Sequence, residues 1–438
     1  MEKRIELIAK EFLKKIENKE IQIISHFDTD GITSAAIMIK TLKKLDKSFS
    51  VKIVKNLDEK IIQNLSEKKI TIFLDLASNS LNHIKKTKLE NVFIIDHHEV
   101  MQEIPENVYI INPELDSKEK ISASGLTYLF CKELIPDKES AKLAVLGMIG
   151  DCLEKNIDKI NNQILIEAEI VKKRGLLIYP STRPINRVLE YSSNPYIPGI
   201  TGNTEEVLNL LRTIGLTPKN GKYKSIIELD EKEMSKLITS ILLLKPQTGN
   251  NEIVGDIFLI KIFNKLEDAR ELSAMINACS RLGESETALQ FCMEIPKALK
   301  KAEALHIKYK QILMSGLEYA SNISEKIKGK GYIIINTKDK VKDTVIGTIT
   351  SILSNSLIYE QGTIIIGMAY DKDKIKISSR NVGRSGKNVR IVLSDVISKI
   401  GGEVGGHEFA AGCIIEKQKE QEFIDNIKKN FEIEMVKI

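Results

Sequence analysis

Ile21-Gln22-Ile23-Ile24-Ser25-His26-Phe27-Asp28-Thr29-Asp30-Gly31 is an apolar run that stops on one histidine and two aspartates, and a helix-patterned stretch, Ile32-Thr33-Ser34-Ala35-Ala36, follows at once. An apolar β-rich segment that enters a helix through a polar turn is the first half of a βαβ unit. Three ionisable side chains placed where such a strand stops are costly to desolvate unless a cation compensates them. A bound metal accounts for all three together. Taken alone, the segment also admits Asp28 or Asp30 as a helix N-cap.

The pattern repeats along the next 120 or so residues. Val51 to Val54, Ile70 to Leu76, Val92 to Asp96 and Val108 to Ile111 read as further strands, separated by helix-patterned stretches at 32–45, 57–67 and 79–88. This alternation predicts a parallel sheet with helices on both faces. Such sheets bind ligands beyond the carboxyl ends of their strands, where loops and helix N-termini converge. Asp75 stands at the end of Ile70-Thr71-Ile72-Phe73-Leu74, where by itself it reads as an N-cap or turn residue. Val92-Phe93-Ile94-Ile95 runs into Asp96-His97-His98, an acid beside two imidazoles that can ligate a metal and fix one another's tautomers. Leu146-Gly147-Met148-Ile149-Gly150 leads to Asp151, for which a helix-terminal aspartate is the competing reading. The four segments together put their acids at one sheet edge. Mixed Asp and His donors there suit two divalent cations bridged by a shared carboxylate and acting on a phosphoester, with manganese favoured and magnesium the alternative.

Beyond residue 155 the pattern turns helical, with amphipathic stretches at 157–173, 204–214 and 231–245 and turn chemistry at Asn194-Pro195, Pro198-Gly199 and Lys219-Asn220-Gly221. No second sheet is expected in this middle region. Pro296 opens a long helical pattern carried by Leu299, Ala302, Leu305, Tyr309, Ile312, Leu313, Leu317 and Ala320. Strand signals return at Tyr332 to Ile335, Thr363 to Met368, Lys374 to Ser378 and Gly412 to Ile415, with helical patterns at 342–355, 389–399 and 418–430. The expected fold class is α/β. A parallel-sheet domain spans 1–155, a mainly helical middle region 156–295 completes the first lobe, a connecting helix runs over 296–328, and a smaller α/β domain spans 329–438.

The motifs His26-Phe27-Asp28-Thr29-Asp30-Gly31, Asp75, Asp96-His97-His98 and Gly147 to Asp151, followed by Gly405-Gly406-His407-Glu408-Phe409-Ala410-Ala411-Gly412, resemble those of the Asp-His-His phosphoesterase superfamily. Within it the chain looks most like the RecJ-like single-strand exonucleases, and the segment 191–202 is similar to archaeal members. The resemblance implies metal ligation by Asp28, Asp30, Asp75, His97 and Asp151, with His26 a further ligand and Asp75 the bridging carboxylate. It gives Asp96 the role of orienting His97, and turns His98 toward the metals or the scissile phosphate. Asn277 and Arg281 fall in a stretch similar to the family's asparagine and arginine motif, although Ser280 stands where glycine is usual; both would hold substrate phosphate. Ser379, Arg380, Gly405, Gly406 and His407 would form a substrate-gripping site in the last lobe, where small residues permit close backbone approach and a guanidinium forks onto phosphate. As surface features these arginines are simply solvated charges, and His407 a turn histidine.

The implied activity is exonucleolytic hydrolysis of single-stranded DNA from 5′ to 3′, in repair or replication. An RNA exonuclease or small-oligonucleotide phosphodiesterase uses the same motifs, and a scaffold bound to the GINS complex of the replicative helicase is the third reading. Composition fits these partners. The chain has 438 residues, 42% hydrophobic and 29% charged, with a net charge of +5, which tolerates a polyanion without demanding one. Five dispersed cysteines, Cys131, Cys152, Cys279, Cys292 and Cys413, suggest buried thiols rather than disulfides or a zinc knot. No apolar run is long enough for a bilayer, and Met1-Glu2-Lys3-Arg4 opens an amphipathic helix rather than a signal peptide. The expected location is the cytoplasm.

Overall fold

The computed structural model describes residues 1–116, 119–155, 157–192, 197, 199–244, 253–322, 326–356, 359–383 and 385–432. Most of the 193–198 turn segment, including Asn194-Pro195 and Pro198, lies outside them. The chain divides into two compact units: Met1–Arg174 with Asp256–His306, and Gly175–Gly255 with Ile307–Ile438.

The first unit is built on a five-stranded parallel sheet of β1 (Ile21–His26), β2 (Phe49–Val54), β3 (Ile70–Leu74), β4 (Val92–Ile95) and β5 (Val108–Ile111), in the order β2-β1-β3-β4-β5. The inner strands β1, β3 and β4 are buried along almost their whole length, as their unbroken apolar sequences require. Alternate residues serve opposite faces. Ile23, Ile72, Leu74, Phe93 and Ile95 join the core formed with α1 (Glu2–Lys15), α2 (Thr29–Lys44), α5 (Ala123–Leu134) and α6 (Ala141–Gly150). Ile24, Phe73 and Ile94 join the core under α3 (Glu59–Gln63) and α4 (Leu81–Lys85). Strand order reverses between β1 and β3, so the loops after these two strands open on a topological switch point, where open α/β sheets take their ligands.

The helical reading of the middle region needs correction. α7 (Lys159–Glu167) ends early, and β6 (Val171–Leu176) pairs with β7 (Val254–Ile262), which pairs antiparallel with β8 (Lys265–Asp268). β6 carries Lys172, Lys173 and Arg174, which hide its strand character, and its partner lies some 80 residues away, beyond any local pattern. α11 (Ala269–Arg281) and α12 (Ser285–Cys292) complete this unit, burying Leu272, Met275, Ile276, Cys279 and Phe291 in the core of α2 and α6.

The second unit holds α8 (Ile185–Glu190), α9 (Thr204–Thr213) and α10 (Glu231–Leu244), and the chain enters it for the second time within α13 (Pro296–Asn322). Its mixed sheet has the order β13-β14-β12-β11-β10-β9, formed by β9 (Ile327–Gly329), β10 (Tyr332–Asn336), β11 (Ile364–Asp371), β12 (Lys374–Asn381), β13 (Glu403–His407) and β14 (Ala410–Glu416). β10 and β11 are parallel and the other pairs antiparallel. α14 (Asp343–Asn355), α15 (Val389–Ile400) and α16 (Glu420–Glu432) cover it. The two edge strands, β9 and β13, carry no sequence signal because one is three residues long and the other glycine-rich. Among the described residues no helix is long and apolar enough to cross a membrane. Four cysteines are buried as expected; Cys152 is exposed instead, because it sits in the turn after α6.

Candidate metal centre

The first βα turn does two jobs. Asp28 caps α2, its Oδ1 accepting from the Gly31 amide at 3.1 Å, while its Oδ2 lies 3.1 Å from His26 Nδ1. The N-cap reading of Asp28 holds, and the cap uses one carboxylate oxygen while the other stays beside His26. Gly31 is required here because a Cβ would stand 2.3 Å from the His26 carbonyl oxygen. After β3, Asp75 takes a left-handed backbone (φ +59°), a strained conformation for a residue with a side chain. Its Oδ2 lies 3.1 Å from His26 Nδ1 and its Oδ1 3.3 Å from His97 Nε2, so the carboxylate faces two imidazoles at once.

Asp30 points the other way, into the N-terminus of α5. Its oxygens accept from the Ala123 amide at 2.6 Å and the Ser124 amide at 2.9 Å, unsatisfied donors at the positive end of a helix. Gly147 of α6 makes the space: a Cβ there would lie 2.3 Å from Asp30 Oδ1 and 2.0 Å from Ser124 Oγ. Asp151 is the C-cap of α6, not a strand-end acid, so it reaches the site from a helix rather than along the sheet edge. Its Oδ2 lies 3.4 Å from His97 Nε2, and Asp30 Oδ2 lies 3.9 Å from the same atom. A helix C-terminus disfavours a carboxylate, so a neighbouring positive charge would stabilise Asp151 there.

Asp96 is fully buried and works on His98. Its Oδ1 accepts from His98 Nδ1 at 2.7 Å and from the His97 amide at 2.8 Å, and its Oδ2 from the Ser78 amide at 3.0 Å. It holds the backbone of His97 but the ring of His98. These donations keep Asp96 ionised far below the usual range despite burial, and the same contact raises the His98 imidazole. His97 is raised as well, its burial outweighed by Asp151 and Asp30.

The electrostatics of the cluster suit a cation. Burial pushes both Asp75 and Asp151 well above the ordinary aspartate range, helped by the charges of Asp28 and then Asp30 at Asp75 and by that of Asp30 at Asp151. Burial alone would depress His26, but its hydrogen bonding to the Asp28 and Asp75 carboxylates carries it up to about 11, and the bond to Asp28 holds that carboxyl low. Asp75 Oδ1 and Asp151 Oδ2 are buried with no hydrogen-bond donor, and both face His97 Nε2. Buried carboxylate oxygens without donors are rare because each costs a full desolvation penalty. The ligand atoms of His26, Asp28 and Asp75 lie within 4.8 Å of one another, as do those of Asp30, His97 and Asp151. Hard oxygens with imidazole nitrogens fit divalent cations such as manganese or magnesium.

The remaining candidates fall into two groups. In the first unit, Asn277 Oδ1 accepts from the Thr29 amide at 3.1 Å, and Thr29 Oγ1 donates to the Ser273 carbonyl at 2.9 Å, which clamps the start of α2 to α11. Arg281 closes α11, one turn further on. In the second unit, the Arg380 guanidinium donates to Ser351 Oγ at 2.9 Å and Ser378 Oγ at 3.2 Å. Arg380, Ala410 and His407 are cross-strand neighbours on β12, β14 and β13. Ser379 lies on the opposite strand face, fully buried, so Ser378 is the hydroxyl beside the guanidinium. Gly405, Gly406 and His407 are exposed, and Gly406 (φ +119°) leaves 2.4 Å between a notional Cβ and the Ala410 carbonyl oxygen. Sequence reasoning missed Ser78, Asn112, Ala123 and Ser124. Asn112 carried a usable signal, since it follows β5 as the acids follow β1, β3 and β4.

Residues 20–150 match the DHH family N-terminal domain, residues 178–252 the DHH-CID domain and residues 329–432 the DHHA1 domain. An uncharacterized protein of Methanocaldococcus jannaschii is 30% identical over 445 residues, covering 97% of this chain and 96% of its own. The crystal structure of exonuclease RecJ bound to manganese is similar at TM-score 0.60 and 17% identity, over 98% of this chain and 94% of that one. Cdc45 from Entamoeba histolytica is similar at TM-score 0.70 and 12% identity, over 97% of this chain and 98% of that one. At these identities the two solved structures speak for the fold.

Proposed function

The chain belongs to the DHH phosphoesterase superfamily, in its RecJ-like part, and from that premise we propose that it is a two-metal exonuclease acting on single-stranded DNA from the 5′ end. One observation carries the reading: two buried carboxylate oxygens without donors, Asp75 Oδ1 and Asp151 Oδ2, aimed at one imidazole nitrogen. His26, Asp28 and Asp75 would hold one cation, and Asp30, His97 and Asp151 the other, with Asp75 touching both groups. Manganese, or magnesium in its place, would acidify a water and neutralise charge on the attacked phosphate.

The chain's own residues do the rest. Asp96 anchors His98 at Nδ1, which leaves Nε2 of a half-exposed, readily protonated ring to give its proton to the departing oxygen. Asn277, bonded to the start of α2, and Arg281, at the end of α11, would orient the scissile phosphate, and within the second unit Arg380 with the Gly405 to His407 strand would bind nucleotide phosphate. RecJ, the similar structure bound to manganese, is an exonuclease, which supports this substrate class. RNA or a short oligonucleotide is the alternative substrate for the same chemistry.

The Cdc45 likeness favours a second reading, a replisome subunit bound to GINS, and the complete set of acids argues against scaffolding as the whole role. Both readings meet in one assay. With manganese and end-labelled single-stranded DNA and RNA, wild type should shorten 5′-blocked strands slowly and free strands fast. Asp30→Ala and a triple alanine change of Asp96, His97 and His98 should be inactive. Cleavage by neither wild type nor variants would remove the nuclease and leave the scaffold.

A further inference from the structure

Asn112 is fully buried at the end of β5 and uses every polar atom of its side chain. Its Oδ1 accepts from the Glu114 amide at 2.9 Å, and its Nδ2 donates to the His98 carbonyl at 2.8 Å and to Ser78 Oγ at 3.0 Å. Ser78 in turn gives its amide to Asp96 Oδ2. Three strand-end loops, those after β3, β4 and β5, therefore meet at one carboxamide.

The ordinary explanation is a helix cap, since Oδ1 caps the short turn Pro113–Leu115. Aspartate and serine cap as well as asparagine does. Only asparagine adds an NH2 group, and its two donations go to the loops that carry Asp96 and His98, where capping has no use for them. Aspartate here would also place another buried charge beside Asp96. Pro113 fixes the geometry further, because the residue before a proline is confined to the extended region, and Asn112 sits there at φ −152°, ψ 127°.

We propose that Asn112 is a positioning residue that locks the Asp96–His98 pair, by pinning the His98 backbone and the Ser78 loop that feeds Asp96. This rests on the proposed proton-donating role of His98 only for its catalytic consequence. Residues that orient a catalytic histidine through such contacts are worth about 10- to 100-fold in activity.

Asn112→Ser keeps a capping oxygen without adding charge and removes both donations; Asn112→Ala removes everything. Both should lower kcat on a manganese-activated oligothymidylate reaction about tenfold or more, with KM and manganese affinity within about twofold of wild type. In a His98→Ala background neither should cost anything further. The ring nitrogen signals of His98 in metal-free, 15N-histidine protein should shift from one defined tautomer toward a mixture. Wild-type kcat and unaltered His98 signals in Asn112→Ser would show a cap and nothing more, and overturn the proposal. If the Asn112 variants do not fold, Ser78→Ala removes the Oγ that Asn112 holds, and unaltered His98 signals there overturn the part of the proposal that runs through the Ser78 loop. A wild type without nuclease activity would sink the proposed function, and the His98 signals would still decide the case of Asn112.

Discussion

Burial, with the charges of Asp28 and Asp30, raises Asp75 well above the usual value of 3.8, and burial with Asp30 does the same for Asp151, so each holds a proton more tightly than an ordinary aspartate. A cation must displace those protons, so manganese binding should release protons to buffer and strengthen as pH rises. Calorimetry in buffers of different ionisation enthalpy measures this directly, and zero net release would contradict the assigned ligands. The same shifts bear on stability. Above pH 3.8 the folded, metal-free protein retains protons that the unfolded chain has lost, so its melting temperature should fall as pH rises toward neutrality. Asp28 and Asp96, held low, contribute in the opposite sense, and their share is lost only below that value. Saturating manganese should flatten the slope above pH 3.8. Gly147→Ala tests the space around Asp30: a methyl group 2.3 Å from its Oδ1 should weaken manganese binding at least about tenfold, while the unliganded chain still folds. The acids and histidines of the site were legible in sequence because each interrupts an apolar run. Most of their supports were not, since Ala123 and Ser124 act through backbone amides, and Asn112 is marked only by its place after β5.

At the scale of elements, legibility followed burial. β1, β3 and β4 are enclosed on both faces and read as continuous apolar runs, whereas β6 presents lysines and an arginine to solvent and pairs far along the chain. β12 is the element on which a binding prediction rests. Arg380 is seated by Ser351, Ser378 and the Ser379 carbonyl, so its guanidinium is pre-organised for a planar anion. Arg380→Lys should lose nearly as much oligonucleotide affinity as Arg380→Ala, about tenfold, because an ammonium cannot reproduce the fork. Manganese affinity should be unchanged in both. Fluorescence anisotropy with labelled oligothymidylate measures the loss, and wild-type binding by either variant would remove Arg380 from the substrate site.

At the scale of the molecule, the chain leaves the first unit after Arg174 and returns at Asp256. That return delivers α11 and α12, whose Leu272, Met275, Ile276 and Phe291 belong to the core under α2 and α6. A fragment of residues 1–174 should therefore bind a hydrophobic dye and lack a cooperative melt, although it carries every proposed metal ligand. Supplying residues 256–306 through a short linker should restore both compactness and manganese binding. Sequence patterns could locate the motifs in this unit but not its discontinuity, because no local periodicity records which distant helix fills a core.

The bond between Thr29 and Asn277 spans 248 residues. During synthesis, the first turn of the metal centre is translated long before the helix that clamps it. A nascent chain thus cannot assemble a finished centre until α11 has left the ribosome. The order of translation thus delays the completed cluster until the helix that clamps it has been made.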